Sequence, residues 1–559
     1  MILRFPQILE AKINELHQAF KVAISESGYQ SHYRGLFPIK VNQDREIVEQ
    51  VAEIGTRLDH GLEVGSKGEL IAAMGTIKNR DSMLVVNGYK DAEFIDLALV
   101  AQRIGFEVTI VMETPDELDL ITARAANMDI TPRLGLRLRL STRPGGRWCQ
   151  TNEIFGLTST EAIAVVDRLK SSGQLGWLKM IHFHQGSQLG QLESIREGAR
   201  EGARAYAALY REGADLEMLN VGGGLALNYD GSKKDPNASK DYGVRNYAKA
   251  IVETVGQIFD DQGIPHPTLL SESGRAVCAQ HCVFVLNLHS LSSYLPVSSK
   301  PADPASLPDQ LRATIKQIGA ANLQSFLKNR SAWADRIDEM FMAGEIDLRQ
   351  RAAAETELRL AAVSLANTDE ETEQLEIHDI AYANFSVFQS LPDHWGIRQK
   401  FPVMPLQRLN AKPKRLANIS DLTCDCDGRL RSPSSANGEN SFIPIHTISP
   451  NEDYFLGVFL TGAYQEALGG THNLFGRTPS VSVRVTETGF EVGYRRSGQS
   501  ASDVLANFDY DRDALARRVT ERIAEANREG KISGEEGAQF INSYRSGLSA
   551  SPYLSGRGK

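Results

Sequence analysis

The chain has 559 residues, of which 42% are hydrophobic and 23% charged, with a formal net charge of −9. This length exceeds what one hydrophobic core supports and predicts two or more domains. The acidic balance argues against a nucleic-acid partner and suits a cationic small molecule, and without a long apolar run or a signal-peptide layout we expect a cytoplasmic enzyme rather than a membrane protein.

The first half of the chain alternates short apolar, β-branched runs with helical patterns, which is typical of parallel βαβ units. The candidate strands lie at residues 35–41, 58–66, 82–88, 106–113, 133–140, 178–185, 216–224 and 268–276. Candidate helices lie between them, at residues 44–55, 92–104, 161–171 and 242–262. Eight such units predict an α/β fold, with an eight-stranded TIM-like βα barrel over residues 1–285.

The second half predicts three further regions. A glutamate-, alanine- and leucine-rich stretch at residues 307–367 predicts an inserted helical bundle. Strand-like patterns at residues 377–389, 443–448, 454–460 and 481–494 predict a mostly β second domain, formed by residues 286–306 and 368–495. Residues 400–416 and 429–441 are predicted loops. Residues 496–559 predict a helical carboxyl-terminal region with a flexible Gly- and Ser-rich tail.

A lysine stands at the end of the first predicted strand, in the run Phe-Pro-Ile-Lys40-Val-Asn. In such barrels the chemistry lies at the carboxyl ends of the strands. A lysine whose pKa is lowered by desolvation is a good nucleophile toward an aldehyde. The alternative is a lysine that reaches solvent or pairs with a carboxylate, such as Glu63 or Glu69 after the second strand.

The last three predicted strands end in groups that could bind an anion. The sixth ends in His182-Phe-His184-Gln-Gly-Ser187, and the eighth ends in Glu272-Ser-Gly-Arg275. The three consecutive glycines after the seventh strand, Gly222, Gly223 and Gly224, could close backbone N–H groups around a phosphate, although a plain turn is the alternative. A lysine for an aldehyde, glycine amides for a phosphate and the Glu272 carboxylate for a ring nitrogen together indicate pyridoxal 5′-phosphate (PLP).

The five cysteines are too few for a disulfide framework in a chain of this length. One residue separates Cys424 from Cys426, and this spacing differs from that of zinc and redox motifs. By itself, the pair Cys424-Asp425 is more often structural than catalytic.

Motifs spread along the chain resemble those of the fold-type III PLP-dependent decarboxylases that act on ornithine, diaminopimelate and arginine. In chain order they are Phe-Pro-Ile-Lys40-Val-Asn-Gln, Glu63-Val-Gly-Ser-Lys-Gly-Glu69, His184-Gln-Gly-Ser187, Gly222-Gly-Gly224, Glu272-Ser-Gly-Arg275, Thr-Cys424-Asp425 and Gly462-Ala-Tyr464. The segments Asn384–Asp393, Cys424–Gly428, Gly462–Gly469 and His472–Gly476 resemble the biosynthetic arginine decarboxylase branch, as do the helical insertion and the helical carboxyl terminus.

The resemblance implies decarboxylation of L-arginine to agmatine, a step toward putrescine and spermidine in polyamine biosynthesis. The alternatives are a decarboxylase of ornithine, lysine or diaminopimelate on the same fold, a catalytically inactive regulatory homologue, and a barrel racemase.

The resemblance also implies roles for particular residues. Lys40 would carry PLP covalently beside Glu63, Glu272 would pair with the ring nitrogen, and His184 would stack on the ring. Cys424 would return a proton to the substrate. Arg137 would lie near the phenolic edge of the ring. The phosphate would be held by Ser187, Gly222, Gly223, Gly224, Gly274, Arg275 and Tyr464. Asp425, with Asp393 as a second candidate, would bind the guanidinium group.

In this family Cys424 and Asp425 reach the active site of the other subunit, which implies a homodimer or a dimer-based higher oligomer. The branch is associated with Mg²⁺, a candidate second cofactor. Gly470 and Arg477 stand where relatives carry acidic residues near His472, and the sequence assigns no metal ligands. The family also places a segment before the barrel that contributes to the β domain. Here the barrel pattern begins almost at Met1, which implies either a truncated start or a β domain that lacks a strand.

Overall fold

A computed structural model describes residues 1–79, 82–142, 155–230, 238–294, 307–366, 375, 377–430, 434–435, 438–439, 442–449 and 452–555. The chain begins with strand β1 (Ile2–Arg4) and helix α1 (Pro6–Ser27). A closed, all-parallel barrel of eight strands follows, and its last strand pairs with its first. The predicted eight-stranded βα barrel is therefore confirmed.

The barrel strands are β2 (Tyr33–Pro38), β3 (His60–Val64), β4 (Met83–Val86), β5 (Glu107–Met112), β6 (Leu134–Leu138), β7 (Leu178–Phe183), β8 (Met218–Asn220) and β9 (Thr268–Ser271). The helices that follow them are α2 (Arg45–Leu58), α3 (Lys67–Thr76), α4 (Ala92–Arg103), α5 (Glu117–Met128), α6 (Ser159–Ser171), α7 (Leu192–Arg211), α8 (Val244–Gln262) and α9 (Gly274–Cys278).

Side-chain caps fix where several barrel helices begin. Asp44, Ser66 and Asp91 accept hydrogen bonds from backbone N–H groups of the first turns of α2, α3 and α4. Thr158 and Glu161 form a reciprocal capping box at the start of α6. Such caps satisfy backbone N–H groups that the helix itself leaves unpaired, and they therefore fix the residue at which each helix begins.

The barrel strands end earlier than the sequence predicted, and the difference is largest for β8 and β9. Strand β8 stops at Asn220 instead of residue 224, because Gly222 and Gly224 adopt left-handed φ angles of 65° and 107°. Strand β9 stops at Ser271 instead of residue 276, and helix α9 begins at Gly274. The chain therefore leaves the barrel at these ends and turns across its opening.

The second domain contains a ten-stranded sheet, with helical segments between its strands. Its further strands are β10 (Cys282–Ser292), β11 (Asp379–Ala383), β12 (Val403–Pro405), β13 (Arg415–Ser420), β14 (Arg429–Leu430), β17 (Ile443–Ile445), β18 (Tyr454–Phe459), β19 (Ser480–Thr486) and β20 (Gly489–Arg496). A separate two-stranded pair is formed by β15 (Ser434–Ser435) and β16 (Gly438–Glu439). The main order is β14-β13-β11-β10-β1-β19-β20, with β17 on β13, β18 on β10 and β12 on β18.

Strand β1 lies inside this sheet, between β10 and β19. The β domain therefore includes a strand that precedes the barrel in the chain. The side chain of Arg4 is buried and forms ion pairs with Asp44, Glu46 and Glu466. Because Glu466 belongs to the second domain and Asp44 caps α2, these pairs tie both domains together close to Lys40.

The second domain also departs from its predicted elements. The predicted strand at 377–389 ends at Ala383, and helix α13 (Val387–Ser390) follows. The predicted strand at 481–494 is the hairpin of β19 and β20, whose turn interrupts a continuous alternation of apolar and polar residues. The predicted loop at 400–416 contains β12 and the first residues of β13, and the predicted loop at 429–441, which lies partly outside the described residues, contains β14, β15 and β16.

The remaining helices form the insertion, three short segments and the carboxyl terminus. They are α10 (Asp309–Gly319), α11 (Leu323–Met342), α12 (Leu348–Ala366), α14 (Pro392–Ile397), α15 (Gln465–Leu468), α16 (Ala501–Ala506), α17 (Arg512–Arg528) and α18 (Gly534–Ser549). The predicted helical bundle and helical carboxyl terminus are both present. The end of the predicted flexible tail, at 556–559, lies outside the described residues. In the described chain, no helix combines the length and the apolar character that crossing a membrane requires.

Candidate active site

The carboxyl ends of the barrel strands open into a cavity of about 500 Å³. Most of the side chains predicted for the site line it, namely Lys40, Glu63, Arg137, His184, Ser187, Arg275, Asp393 and Tyr464. A larger opening of about 900 Å³ lies at the other end of the barrel, where β2 and β5 begin, and the predicted site residues are absent from its lining. The cavity at the carboxyl ends is therefore the candidate active site, as the barrel fold leads us to expect.

Lys40 lies on the single helical turn Ile39–Val41 that follows β2, and its Nζ is 3.1 Å from both carboxylate oxygens of Glu63. Burial alone would lower the pKa of Lys40, but the charges of Glu63, Glu272 and Tyr464 outweigh it and raise the pKa above its ordinary value. The lowering expected from desolvation alone is thus not observed. The pairing with Glu63, raised as the structural alternative, is observed, whereas Glu69 accepts a hydrogen bond from Gly65.

Glu272 follows β9 and is buried; it is absent from the lining of the cavity but contacts Asn87, which lines it. Its Oε1 accepts hydrogen bonds from the side-chain amides of Asn220 at 2.9 Å and Asn87 at 3.3 Å, and it lies 3.3 Å from Nε2 of His182. Burial by itself would raise the pKa of Glu272, but His182, Lys40 and His184 hold it below its usual range. The carboxylate is therefore an anion fixed in one orientation, and its described side-chain contacts all use one of its two oxygens.

His184, after β7, accepts a hydrogen bond at Nδ1 from the backbone N–H of Gly223, 3.0 Å away. Burial lowers the pKa of His184 to about 3, and the nearby Arg137 adds to this effect. The ring is therefore neutral at physiological pH and held at a fixed angle beside the glycine turn. A neutral, oriented imidazole can stack on an aromatic ring without bringing a charge to it.

Arg275, at the start of α9, is the buried cation at one side of the cavity. Its Nε donates to the hydroxyl of Ser187 at 3.1 Å, its Nη1 donates to the hydroxyl of Tyr229 at 3.2 Å, and its guanidinium lies 4.6 Å from the ring centre of Tyr464. Tyr464 has a left-handed φ of 69°, and its N–H donates to the carbonyl of Val41. This hydrogen bond joins the second domain directly to the turn that carries Lys40.

Arg137, on β6, lies across the cavity from this group. Its Nη1 donates to Oε1 of Glu113 at 2.8 Å, and its guanidinium lies 5.1 Å from the ring centre of Phe155. The same Glu113 oxygen accepts from the N–H of Gly88. The arginine is therefore held by a carboxylate while one face covers an aromatic ring.

The two residues predicted to bind the guanidinium lie in different places. Asp393, on α14, is buried at the cavity wall, where its Oδ2 accepts from Gln465 at 2.9 Å. Cys424 and Asp425 lie in an exposed loop after β13, outside the lining of this chain's cavity. The structure therefore brings Asp393 to Lys40 within one chain, and does not bring Cys424 or Asp425 there.

The residues present fit PLP on three observations. The cavity is lined by the primary amine of Lys40 and by the buried Arg275, which pairs with the hydroxyl of Ser187, and these match the aldehyde and the phosphate of PLP. The Glu272 carboxylate, one contact away through Asn87, matches the ring nitrogen. A Cβ on Gly223 would lie 2.9 Å from the carbonyl of Glu272 and 3.1 Å from the His184 ring, so the backbone approaches these groups as closely as it can. A Cβ on Gly274 would lie 2.7 Å from Val41, next to Lys40.

Sequence reasoning did not assign a role to five residues that hold the others in place, Asn87, Glu113, His182, Asn220 and Tyr229. Asn87 follows β4 and Asn220 is the last residue of β8, so their position at strand ends was the signal that could have found them.

Three family models match separate parts of the chain. Residues 10–279 match the model of the pyridoxal binding domain of pyridoxal-dependent decarboxylases. Residues 301–376 match the arginine decarboxylase helical bundle domain, and residues 501–554 match the arginine decarboxylase C-terminal helical extension.

Similar proteins match over nearly the whole length of this chain. A biosynthetic arginine decarboxylase of Bacteroides thetaiotaomicron is 37% identical, over 99% of this chain and 90% of that protein. One from Alkalilimnicola ehrlichii is 38% identical over the same shares of the two chains. The crystal structure of the biosynthetic arginine decarboxylase SpeA from Campylobacter jejuni superimposes with a TM-score of 0.87 at 31% identity, covering 100% of this chain and 91% of that one.

Proposed function

The chain belongs to the family of biosynthetic arginine decarboxylases, and from this we propose that it converts L-arginine to agmatine and CO₂ with PLP as cofactor. Agmatine formation is a step toward polyamines. The observation that carries the proposal is the cavity in which the amine of Lys40 meets Glu63 at 3.1 Å, with the buried, oriented Glu272 one contact away through Asn87. The same arrangement argues against an inactive homologue, because Lys40, Glu63 and Glu272 are all present and in contact with one another or with a shared neighbour.

PLP, when bound, supplies an electron-accepting ring that stabilises the charge left as the carboxylate departs as CO₂. We assign Glu272 to hold a proton on the ring nitrogen, since an anion beside that nitrogen would stabilise the cation. His184, held by Gly223, would stack on the ring. Arg275 and Ser187, with the N–H groups of the glycine turn, bind the phosphate. Lys40 would hold the aldehyde carbon of PLP, and Glu63, whose oxygens lie 3.1 Å from Nζ, would accept hydrogen bonds from the amine whenever it is free.

We assign the return of a proton to Cα to the thiol of Cys424, which is left as a thiolate and takes a proton back from water. Asp425 binds the guanidinium, because a planar carboxylate can accept two parallel hydrogen bonds from it, and Asp393 is the second candidate. Since Cys424 and Asp425 lie outside the cavity of their own chain, we place them in the cavity of a partner copy. The functional unit proposed here is therefore a homodimer or a dimer-based oligomer that works in the cytoplasm.

A dependence on Mg²⁺ would need ligands that this proposal does not assign. Among the described residues, Asp425, Cys426 and Asp427 have suitable spacing. They are exposed or partly exposed, and Asp425 is already assigned to substrate.

A comparison of kcat/KM values distinguishes arginine from the alternative substrates. We expect kcat/KM for L-arginine to exceed the values for ornithine, lysine and diaminopimelate by at least about 10²-fold, because a carboxylate placed for a guanidinium is left imperfectly paired by the shorter amines. The measurement is amine product and CO₂ from the purified, PLP-loaded protein at several concentrations of each amino acid, with the Lys40→Ala chain as the blank. A higher kcat/KM for any of the other three would overturn the choice of arginine while leaving the decarboxylase chemistry in place.

A further inference from the structure

We propose that Asn473 is a positioning residue for Cys424, and that residues 552–554 at the carboxyl terminus hold Asn473 in place. The inference rests on the proposed function, because it concerns how one chain presents Cys424 to the cavity of its partner. Asn473 lies in a tight turn before β19, about fifty residues after Cys424 in the sequence.

The side-chain oxygen of Asn473 contacts Cys424 twice. Its Oδ1 accepts a hydrogen bond from the backbone N–H of Cys424 at 3.2 Å and lies 3.5 Å from the thiol sulfur, which donates to it. One acceptor therefore fixes both the backbone and the direction of the thiol. Cys424 is exposed in this chain, so without such an anchor its side chain could rotate freely between several rotamers.

The backbone of the turn suits asparagine. Asn473 has φ 53° and ψ 25°, in the left-handed region that asparagine, aspartate and glycine tolerate best. The next residue, Leu474, is also left-handed, with φ 60°. Two successive residues in this region carry a conformational cost, so the turn needs support from its surroundings.

The carboxyl terminus supplies that support through Tyr553. The hydroxyl of Tyr553 donates to the carbonyl of Gly476 at 2.7 Å, and its ring centre lies 5.1 Å from that of Phe475. Burial raises the pKa of Tyr553, which keeps the hydroxyl protonated as a donor. Both contacts fall within three residues of Asn473, so they fix the turn immediately after it.

A second connection runs through Leu554 to the other side of the same loop. The amide of Asn384 donates to the carbonyl of Leu554 at 2.8 Å and accepts from its N–H at 3.1 Å. The residue after Asn384, Phe385, accepts a hydrogen bond at its carbonyl from Leu422, two residues before Cys424. Residues 552–554 therefore support the Cys424 loop from two directions, which gives the helical carboxyl-terminal extension a role in catalysis at a distance.

The test uses point variants of the full-length holoenzyme. Asn473→Gly removes the acceptor but tolerates the left-handed backbone, and Asn473→Asp keeps an acceptor at the same position. For Asn473→Gly we expect kcat for agmatine formation to fall about fivefold, because a rate change of this size corresponds to the free energy of one ordinary hydrogen bond. The KM for arginine should change by less than about twofold. Iodoacetamide should alkylate Cys424 faster by about the same factor, relative to Cys426 in the same chain. Asn473→Asp should stay close to wild type in both measurements.

The carboxyl-terminal contact is tested by Tyr553→Ala, with Tyr544→Ala on α18 as the matched control. Tyr553→Ala should reproduce both changes of Asn473→Gly, and Tyr544→Ala should show neither. The inference is overturned if Asn473→Gly keeps the wild-type kcat and alkylation ratio, or if Gly and Asp at this position lose activity equally. If Asn473→Gly does not bind PLP, Tyr553→Ala decides by itself. A wild-type chain that makes no agmatine would instead overturn the proposed function, and the alkylation ratio does not depend on turnover.

Discussion

Replacing Lys40 with alanine is expected to lower kcat for agmatine formation by about 10⁴-fold or more, ~5.4 kcal/mol of barrier. The reason is that Lys40 is a primary amine in the lining of the cavity, with its Nζ 3.1 Å from Glu63. The same variant should lose the absorption band beyond roughly 400 nm that arises when PLP is conjugated to a lysine. Both the rate and the absorption spectrum of the purified protein are measured.

The control for this variant is Lys170→Ala, an exposed lysine of α6 paired with Glu212. It should retain both the band and the activity. Borohydride reduction gives the decisive comparison, since it fixes PLP to the lysine that carries it. A Lys40→Ala chain that still gave a stable reduced adduct would show that another amine holds the cofactor.

Replacing Glu272 with glutamine is expected to lower kcat by about 10³-fold, ~4 kcal/mol of barrier. Glutamine keeps the shape of the side chain but removes the negative charge, and a ring nitrogen without an adjacent anion loses its proton and accepts electrons poorly. The environment of Glu272 holds its pKa below the usual range, so the wild-type carboxylate stays charged throughout the neutral pH range. The measurement is single-turnover decarboxylation by PLP-loaded protein.

Glu107→Gln is the matched control for this charge, because Glu107 pairs with Arg34 at the opposite end of the barrel. It should leave kcat unchanged. A loss of less than about tenfold in the Glu272→Gln variant, ~1.4 kcal/mol, would mean that the ring nitrogen is not held by this carboxylate.

The barrel could be predicted because its signals are local. Each of its strands is a short apolar run followed by a helix pattern, and helix starts such as Asp44 and Thr158 carry recognisable capping residues. The β domain was harder to predict. Strand β13 (Arg415–Ser420) alternates only weakly between polar and apolar residues, and β1 has three residues, so their pairing partners decide that they are strands.

The site residues also fall into those that the sequence indicated and those that only the structure identified. Lys40, His184 and Glu272 lie at the carboxyl ends of barrel strands, where position alone makes a polar residue a candidate for the active site. Asn87 and Asn220 also stand at strand ends, but an asparagine there is an ordinary turn residue, and only their contacts with Glu272 distinguish them. The proposed place of Cys424, in the cavity of a second copy of the chain, was indicated only by the resemblance to the family.

If arginine is decarboxylated in a site made by Lys40 of one subunit and Cys424 of another, two chains that are each inactive should regain activity when mixed. Lys40→Ala and Cys424→Ala chains are mixed under conditions where subunit exchange is demonstrated independently, and agmatine is measured. Random pairing makes half of the dimers mixed, each with one intact site of two, so the account predicts recovery of about a quarter of wild-type activity. Exchange without any recovery of agmatine formation would contradict it.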